Sequence, residues 1–429
     1  MDRLIRGRIL HFIQSMPVQH EYYPDGVLVI ESGKVKSLDH AENLINQGLD
    51  LSTAENYPDS LIMPGFIDTH VHAPQLDVMG SFGKQLMDWL NDYTFPLEAK
   101  FGDRDYAADG VKRFIDGLLH NGTTTAMVYG TSHKHTADEI FSQSNEKQMR
   151  MIAGKVLMDR NAPDNLLDTA TSGYSDSEQL IRDWHGTGRL GYALTPRFAG
   201  TSTHEQMLTV QKLQEAHPDV WMQTHLSENH AEIEWLLSLY PDANDYLETY
   251  ERYGMNHDRA VFGHCIHLSD DEVKRLADKG GRIAFCPTSN LFLGSGLFDL
   301  ERMRDSNIPV SIATDVGGGT SLCLLPTLAE AYKICQLKSY VLPALEAFCM
   351  ATLGNAETLH LDTHIGNFEV GKEADFIVLD PSNMPSLSTR LNLAKDIDEE
   401  LFVYMTLGDE RLIQQTSVFG QIQFEQEAA

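Results

Sequence analysis

Short apolar runs mark both ends of the chain, and a longer alternating rhythm fills the middle. Near the N-terminus, GVLVIESGKVKSL holds two apolar segments split by Ser32, Gly33 and Lys34, which predicts a hairpin. The stretch 366–381, GNFEVGKEADFIVLDP, is again strand-like with a glycine turn, and so is RLIQQTSVFGQIQF near the C-terminus. The ends resemble each other and differ from the middle. This predicts a small β domain built from 1–62 and 366–429, with 63–365 inserted between its halves.

The middle alternates β-rich runs with helical stretches. The runs are TTTAMVY, RMIAGKVLM, RLGYALTPRF, VWMQTHL, AVFGHCI, RIAFCPTS and PVSIATD, and LIMPGFIDTHVH makes eight. Between them lie segments such as HAEIEWLLSLYPDANDYLETYERYG and SDDEVKRLADKGG. The second has Val273, Leu276 and Ala277 on one face, Ser269 and Asp270 at its start and glycines at its end, the punctuation of a helix. Eight βα units predict an α/β fold, a parallel (β/α)8 TIM-like barrel with its active site at the C-terminal ends of the strands.

Composition narrows the function classes. Of 429 residues, 42% are hydrophobic and 22% charged, enough for a large core and unlike a disordered chain. Lys and Arg number 33 against 62 Asp and Glu, a formal net charge of -29. A field this acidic argues against nucleic acid polymers and anionic membranes as partners, though a pocket can still take a single base. No apolar run approaches the ~18 residues that span a bilayer. Arg3, Arg6 and Arg8 interrupt the N-terminal apolar residues, so no signal peptide is expected. The five cysteines (Cys265, Cys286, Cys323, Cys335 and Cys349) are odd in number and lack a CxxC pair. Neither a disulfide framework nor a Cys-based zinc site is expected, and a reducing cytoplasm is the default. Asp396, Asp398, Glu399 and Glu400, the densest acidic group, read as a solvated face.

The sharpest chemical feature is PGFIDTHVH. His70 and His72 are two apart, so on a strand both point to one face, at the strand's C-terminal end. Two converging imidazoles suit a divalent first-row metal. The competing reading is a pair of histidines that only hydrogen-bond a loop. His225 ends VWMQTH, His264 ends AVFGH and Asp315 ends PVSIATD, each at a different predicted strand end. Any one of the five is readily structural; all five together are poorly explained that way.

With these motifs assembled, the chain resembles the amidohydrolase superfamily and, within it, the guanine deaminases. The resemblance rests on DTHVHAPQ, WLNDYTFP, NGTTTAMVYGT, AGKVLMDRNAP, TPRFAGTS, THLSEN, AFCPTSNLFLGSG and TDVGGGT, from about residue 60 to GKEADFIVLD. It implies a distorted (β/α)8 barrel with a small β-sandwich domain from both termini, and a homodimer. It also implies one metal per chain, zinc with ferrous iron as the alternative. The ligands would be His70, His72, His225 and Asp315, with His264 beside the metal and its water. Lys155 in AGKVLM reads as structural and the site as mononuclear. His133 and His135 form a second HxH in a loop context, His267 falls in the loop after His264, and His120, His185 and His257 have surface or loop contexts.

The implied reaction is hydrolysis of guanine at C2, with water as the second substrate. Glu228 follows His225 by three residues; alone it reads equally as a glutamate in a first helical turn, and the resemblance makes it the proton shuttle. Asp315 would take the water's proton and His264 would hydrogen-bond the developing charge. Gln75 suits a purine edge, because its amide both donates and accepts. Arg197 can present two donors to O6 and N7. Phe198 either stacks on the ring or packs in the core, and Trp89 is either part of a lid or a buried anchor. The rivals are another mononuclear amidohydrolase, acting on 8-oxoguanine or an S-triazine, and a non-catalytic scaffold, for which lost ligands would be expected.

Overall fold

The computed structural model describes residues 2–83 and 85–427; positions 1, 84, 428 and 429 of the expected domains lie outside it. Four strands come from the N-terminal region: β1 (Arg3–Ser15), β2 (Val18–Glu31), β3 (Lys34–His40) and β4 (Glu55–Pro64). Ser32 and Gly33 join β2 to β3 with φ of 54° and 79°, the two left-handed positions that a tight hairpin turn needs.

Gly65 then separates β4 from β5 (Phe66–His72), so the continuous run LIMPGFIDTHVH serves two sheets. The barrel strands continue as β6 (Thr123–Tyr129), β7 (Arg150–Gly154), the short β8 (Val156–Leu157), β9 (Leu190–Pro196), β10 (Trp221–Leu226), β11 (Ala260–His264), β12 (Arg282–Phe285) and β13 (Val310–Ile312). β14 (Phe376–Leu379), β15 (Ile413–Val418) and β16 (Gln421–Glu425) return to the first sheet, whose order is β16-β15-β14-β4-β1-β2-β3. The small β domain expected from both termini is this seven-stranded sheet.

The barrel sheet is parallel, in the order β5-β6-β7-β9-β10-β11-β12-β13, with β8 beside β9. Asp315 N donates to His70 O and His72 N to Val316 O, both at 2.9 Å, across the β13–β5 seam. Asn355 ties the same seam lower down: Nδ2 donates to Ile67 O and Ile312 O, and Oδ1 accepts from Ile312 N. Inside, Ile67, Met127, Ile152, Trp221 and Val261 form an apolar layer with Leu359 and Leu361. Trp221 Nε1 donates to Leu359 O at 3.0 Å. The layer fills the interior, so the opposite, C-terminal mouth holds the open site.

Local chemistry adjusted several expected elements. Asp270–Lys279 is a helix with a Ser269–Glu272 capping box and Gly280 at φ 83°, as its punctuation predicts. The longer helical stretch splits into His230–Leu239 and Tyr246–Glu251, on either side of Pro241. RIAFCPTS is strand only to Phe285, because Pro287 starts the helix Pro287–Phe292. Of GNFEVGKEADFIVLDP, only Phe376–Leu379 is strand. Asp396 and Asp398 of the acidic group are exposed, as expected of a solvated face, but Glu400 is not. Asp396 caps the helix Ile397–Leu407, and Glu400 is part-buried against Arg8 and Tyr404.

Candidate active site

Strands β5, β10 and β11 carry His70, His72, His225 and His264 to the mouth, and Arg197 and Asp315 follow the ends of β9 and β13. His70 and His72 share a face of β5, a strand buried throughout. Asp68, two residues before His70, accepts from His70 N at 3.3 Å and from Thr314 N at 3.1 Å. That carboxyl, raised to about 6 by burial, couples the β5 end to the loop bearing Asp315. His264 closes β11 with φ 70°, and Ser227 and Asp315 have φ of 49° and 50°. Non-glycine residues rarely adopt these values, and here they turn the chain sharply at the strand ends.

The side chains converge. One ligand-type atom from each of His70, His225, His264 and Asp315 lies within 4.8 Å of every other. His72 joins them, with Nε2 3.2 Å from Asp315 Oδ1; His70 Nε2 is 3.3 Å from the same oxygen. All five predicted metal-site residues therefore meet at one point.

Hydrogen bonding leaves these imidazoles free to bind a cation. His225 Nδ1 sits 2.7 Å from Arg197 O, so it donates there and Nε2 carries the lone pair. His264 Nδ1 pairs with Asn290 Oδ1 at 2.8 Å. Both ring nitrogens of His70, and Nδ1 of His72, are buried without a hydrogen-bond partner among the described residues. Burial lowers the pKa of His72 to about 3, and burial with its neighbouring histidines holds His225 far below its ordinary value. Burial opposes ionisation of Asp315, but the imidazoles of His70 and His72 outweigh it and keep the carboxylate charged. Imidazoles around one carboxylate are the donor set of a divalent metal, and the orphaned nitrogens fit such an ion.

Glu228 stands beside this cluster. Its Oε1 accepts from Ser295 Oγ at 2.8 Å, and Oε2 is 3.3 Å from His264 Nε2. Burial, then the charge of Asp315, raises its pKa to about 8. Glu228 is not the glutamate of a first helical turn. That place belongs to Glu232, which completes a capping box with Asn229 and accepts from Glu228 N at 3.1 Å. A pocket opens above, and Gln75, Trp89, Arg197 and Phe198 all face it. Trp89 is pinned by Nε1 donating to Ser81 Oγ at 2.8 Å.

A model of the amidohydrolase family matches residues 61–418. The chain belongs to the amidohydrolase family. It is 50% identical over 429 residues to the guanine deaminase of Escherichia coli K12, covering 99% of this chain and 98% of that protein. Among solved structures it is similar to E. coli guanine deaminase, with TM-score 0.96, 47% identity and coverage of 99% and 100%. The guanine deaminase from C. acetobutylicum with bound guanine in the active site matches with TM-score 0.90 at 30% identity, covering 99% and 100%.

The other singled-out residues of this amidohydrolase lie away from the cluster. Lys155 is buried between β7 and β8, paired with Asp168. His135 Nε2 contacts Phe101 O at 2.7 Å, and its ring stacks on His133, the residue before the helix Lys134–Glu146. His267 contacts Ser295 O at 2.8 Å, on the loop that holds Glu228. The sequence reading missed Glu98, Glu232, Asn290 and Ser295. Asn290 and Ser295 lie inside AFCPTSNLFLGSG, where their polar side chains stand among apolar residues with no periodic mark of their own.

Proposed function

We propose that the protein hydrolyses guanine to xanthine and ammonia, as its guanine deaminase relatives are named for doing. The observation that carries this reading is the placement of a buried shuttle-type carboxyl, Glu228, between a metal-type donor cluster and a pocket walled by Gln75 and Arg197. The support beside it is full-length similarity to guanine deaminases. His70, His72, His225 and Asp315, with His264 adjacent, would hold zinc, which suits imidazole and carboxylate donors. When bound, such an ion lowers the pKa of a water molecule from ~16 toward 7.

This chain's residues do the rest. Gln75 and Arg197 hold the base with C2 toward the cluster, Arg197 donating to O6 and N7. Asp315 takes a proton from the attacking water, and His264 hydrogen-bonds the oxygen as charge develops. Glu228, protonated at the outset, gives its proton to a ring nitrogen as C2 becomes tetrahedral, takes up the proton of the new C2 hydroxyl and passes it to the amine, which leaves as ammonia; the proton held by Asp315 then restores Glu228. A carboxyl whose pKa is raised to about 8 can hold and release that proton near neutrality. Phe198 and Trp89 supply apolar walls.

The five cysteines are unpaired and buried, which accords with a cytoplasmic location, and no helix among the described residues is long and apolar enough to cross a membrane. A homodimer in solution belongs to the same proposal, and light scattering would read it.

The decisive experiment measures ammonia from guanine, adenine, 8-oxoguanine and cytosine with zinc-loaded and chelator-stripped enzyme. Zinc-dependent release from guanine, at least ~10⁴-fold above adenine, is expected, because donors aimed at O6 face another donor in adenine. Preference for another ring, or full activity after stripping, would refute the assignment.

A further inference from the structure

Glu98 ends the short helix Phe95–Glu98 and is fully buried. Its carboxylate touches the two proposed recognition residues. Gln75 Nε2 donates to Oε1 at 2.8 Å. Arg197 Nη1 donates to Oε1 at 2.9 Å and to Oε2 at 2.7 Å. The far end of the Gln75 amide is also held, since Gly317 N donates to Oε1 at 3.2 Å. The Arg197 guanidinium carbon sits 5.2 Å from the centroid of Phe95, on the same short helix.

This arrangement fixes which donors remain for a ligand. Turning the Gln75 amide over would set its oxygen against a carboxylate and its NH₂ against a backbone N–H, so the orientation is locked. Among the described residues its second amide hydrogen has no partner. Arg197 commits Nη1 to Glu98, which leaves Nη2 and Nε as the available donors. The same pocket holds carboxylates at Glu228, Glu232 and Asp315, which compete for an unpaired guanidinium. With Glu98 in place, Arg197 faces the pocket as a donor edge whose charge is already matched.

We propose that Glu98 is a positioning residue that sets the pocket's preference for a neutral purine over an anionic one. It orients Gln75 and Arg197 and cancels the charge of Arg197; the purine itself rests on the function proposed above. Glu98→Gln keeps the shape and removes the charge. The expected result has two opposite signs. The KM for guanine rises about tenfold or more, with kcat falling less, while inhibition by the anionic purine urate strengthens about threefold or more. General damage to the pocket would weaken both ligands together, and that outcome overturns the proposal. So does a guanine KM within about twofold of wild type in zinc-loaded enzyme.

If Glu98→Gln does not fold, the double variant Glu98→Gln/Arg197→Met removes both buried charges and is compared with Arg197→Met. Equal guanine KM values in the two are expected, and a further tenfold loss in the double variant would overturn the assignment. Wild-type enzyme that fails to deaminate guanine would instead sink the proposed reaction. The ratio of urate to guanine binding in variant and wild type would still read Glu98.

Discussion

At the scale of single residues, the site is a matter of which polar atoms lack partners. His225 and His264 each spend one nitrogen on a fixed neighbour, Arg197 O and Asn290, and aim the other at the centre. Glu228 is different because each carboxylate oxygen faces a separate group, Ser295 and His264. Glu228→Gln preserves volume and most contacts while removing the group that carries protons. It should keep its metal and lose at least ~10²-fold in kcat. Metal analysis beside steady-state rates checks this, and more than a tenth of wild-type turnover would exclude the shuttle role. The clustered histidines, Asp315 and Glu228 were legible in the sequence because each closes, or directly follows, an apolar run. Glu98 was not, because it lies 99 positions from Arg197 and closes no strand.

At the scale of elements, the two sheets are joined by charge at the end of the barrel away from the site. Arg150 begins β7 and Arg189 precedes β9; both bind Glu373, and Arg189 also binds Asp375 just before β14. Burial opposes ionisation of Glu373, but the hydrogen bonds of Arg150 and the charge of Arg189 prevail and hold its pKa below the ordinary 4.5. A depressed carboxyl contributes stability in full above its unfolded value and loses it as pH falls through the folded value. Glu373→Gln should therefore cost about 1–3 kcal/mol at pH 7. The difference from wild type should shrink once pH drops below 4.5, where protonation does the same to the native side chain. Urea titrations at the two pH values test it; a cost independent of pH would remove the ion pairs as its cause. The strands were readable from their apolar runs, whereas this junction depends on side chains 184 and 223 positions apart.

At the scale of the whole molecule, the net charge of -29 sets a background that local pairs do not cancel. Exposed ion pairs are each worth little, so repulsion among the surplus carboxylates dominates the salt response. Raising ionic strength from ~10 mM to ~150 mM shortens the screening length from ~30 Å to ~8 Å. The melting temperature should rise by about 1–3 °C over that range. A fall, seen by calorimetry, would mean that attractive pairs outweigh the net charge. The same surplus coexists with a pocket that holds Arg197, because a buried site sets its own local charge.

The eight-stranded rhythm, the β texture shared by the two ends and the residues that stand where strands stop were all readable along the chain. Those features follow from local periodicity, which one chain displays without reference to its fold. Only the tertiary structure decided which apolar run would be divided, since Gly65 ends pairing in one sheet and admits the next strand to the other. It also decided which glutamate caps a helix and which faces the histidine–aspartate cluster, because Glu228 and Glu232 differ in surroundings and not in type. Glu98 and Asn290 meet their partners, Arg197 and His264, only once the barrel is assembled, and such hydrogen bonds leave no periodic trace in a sequence.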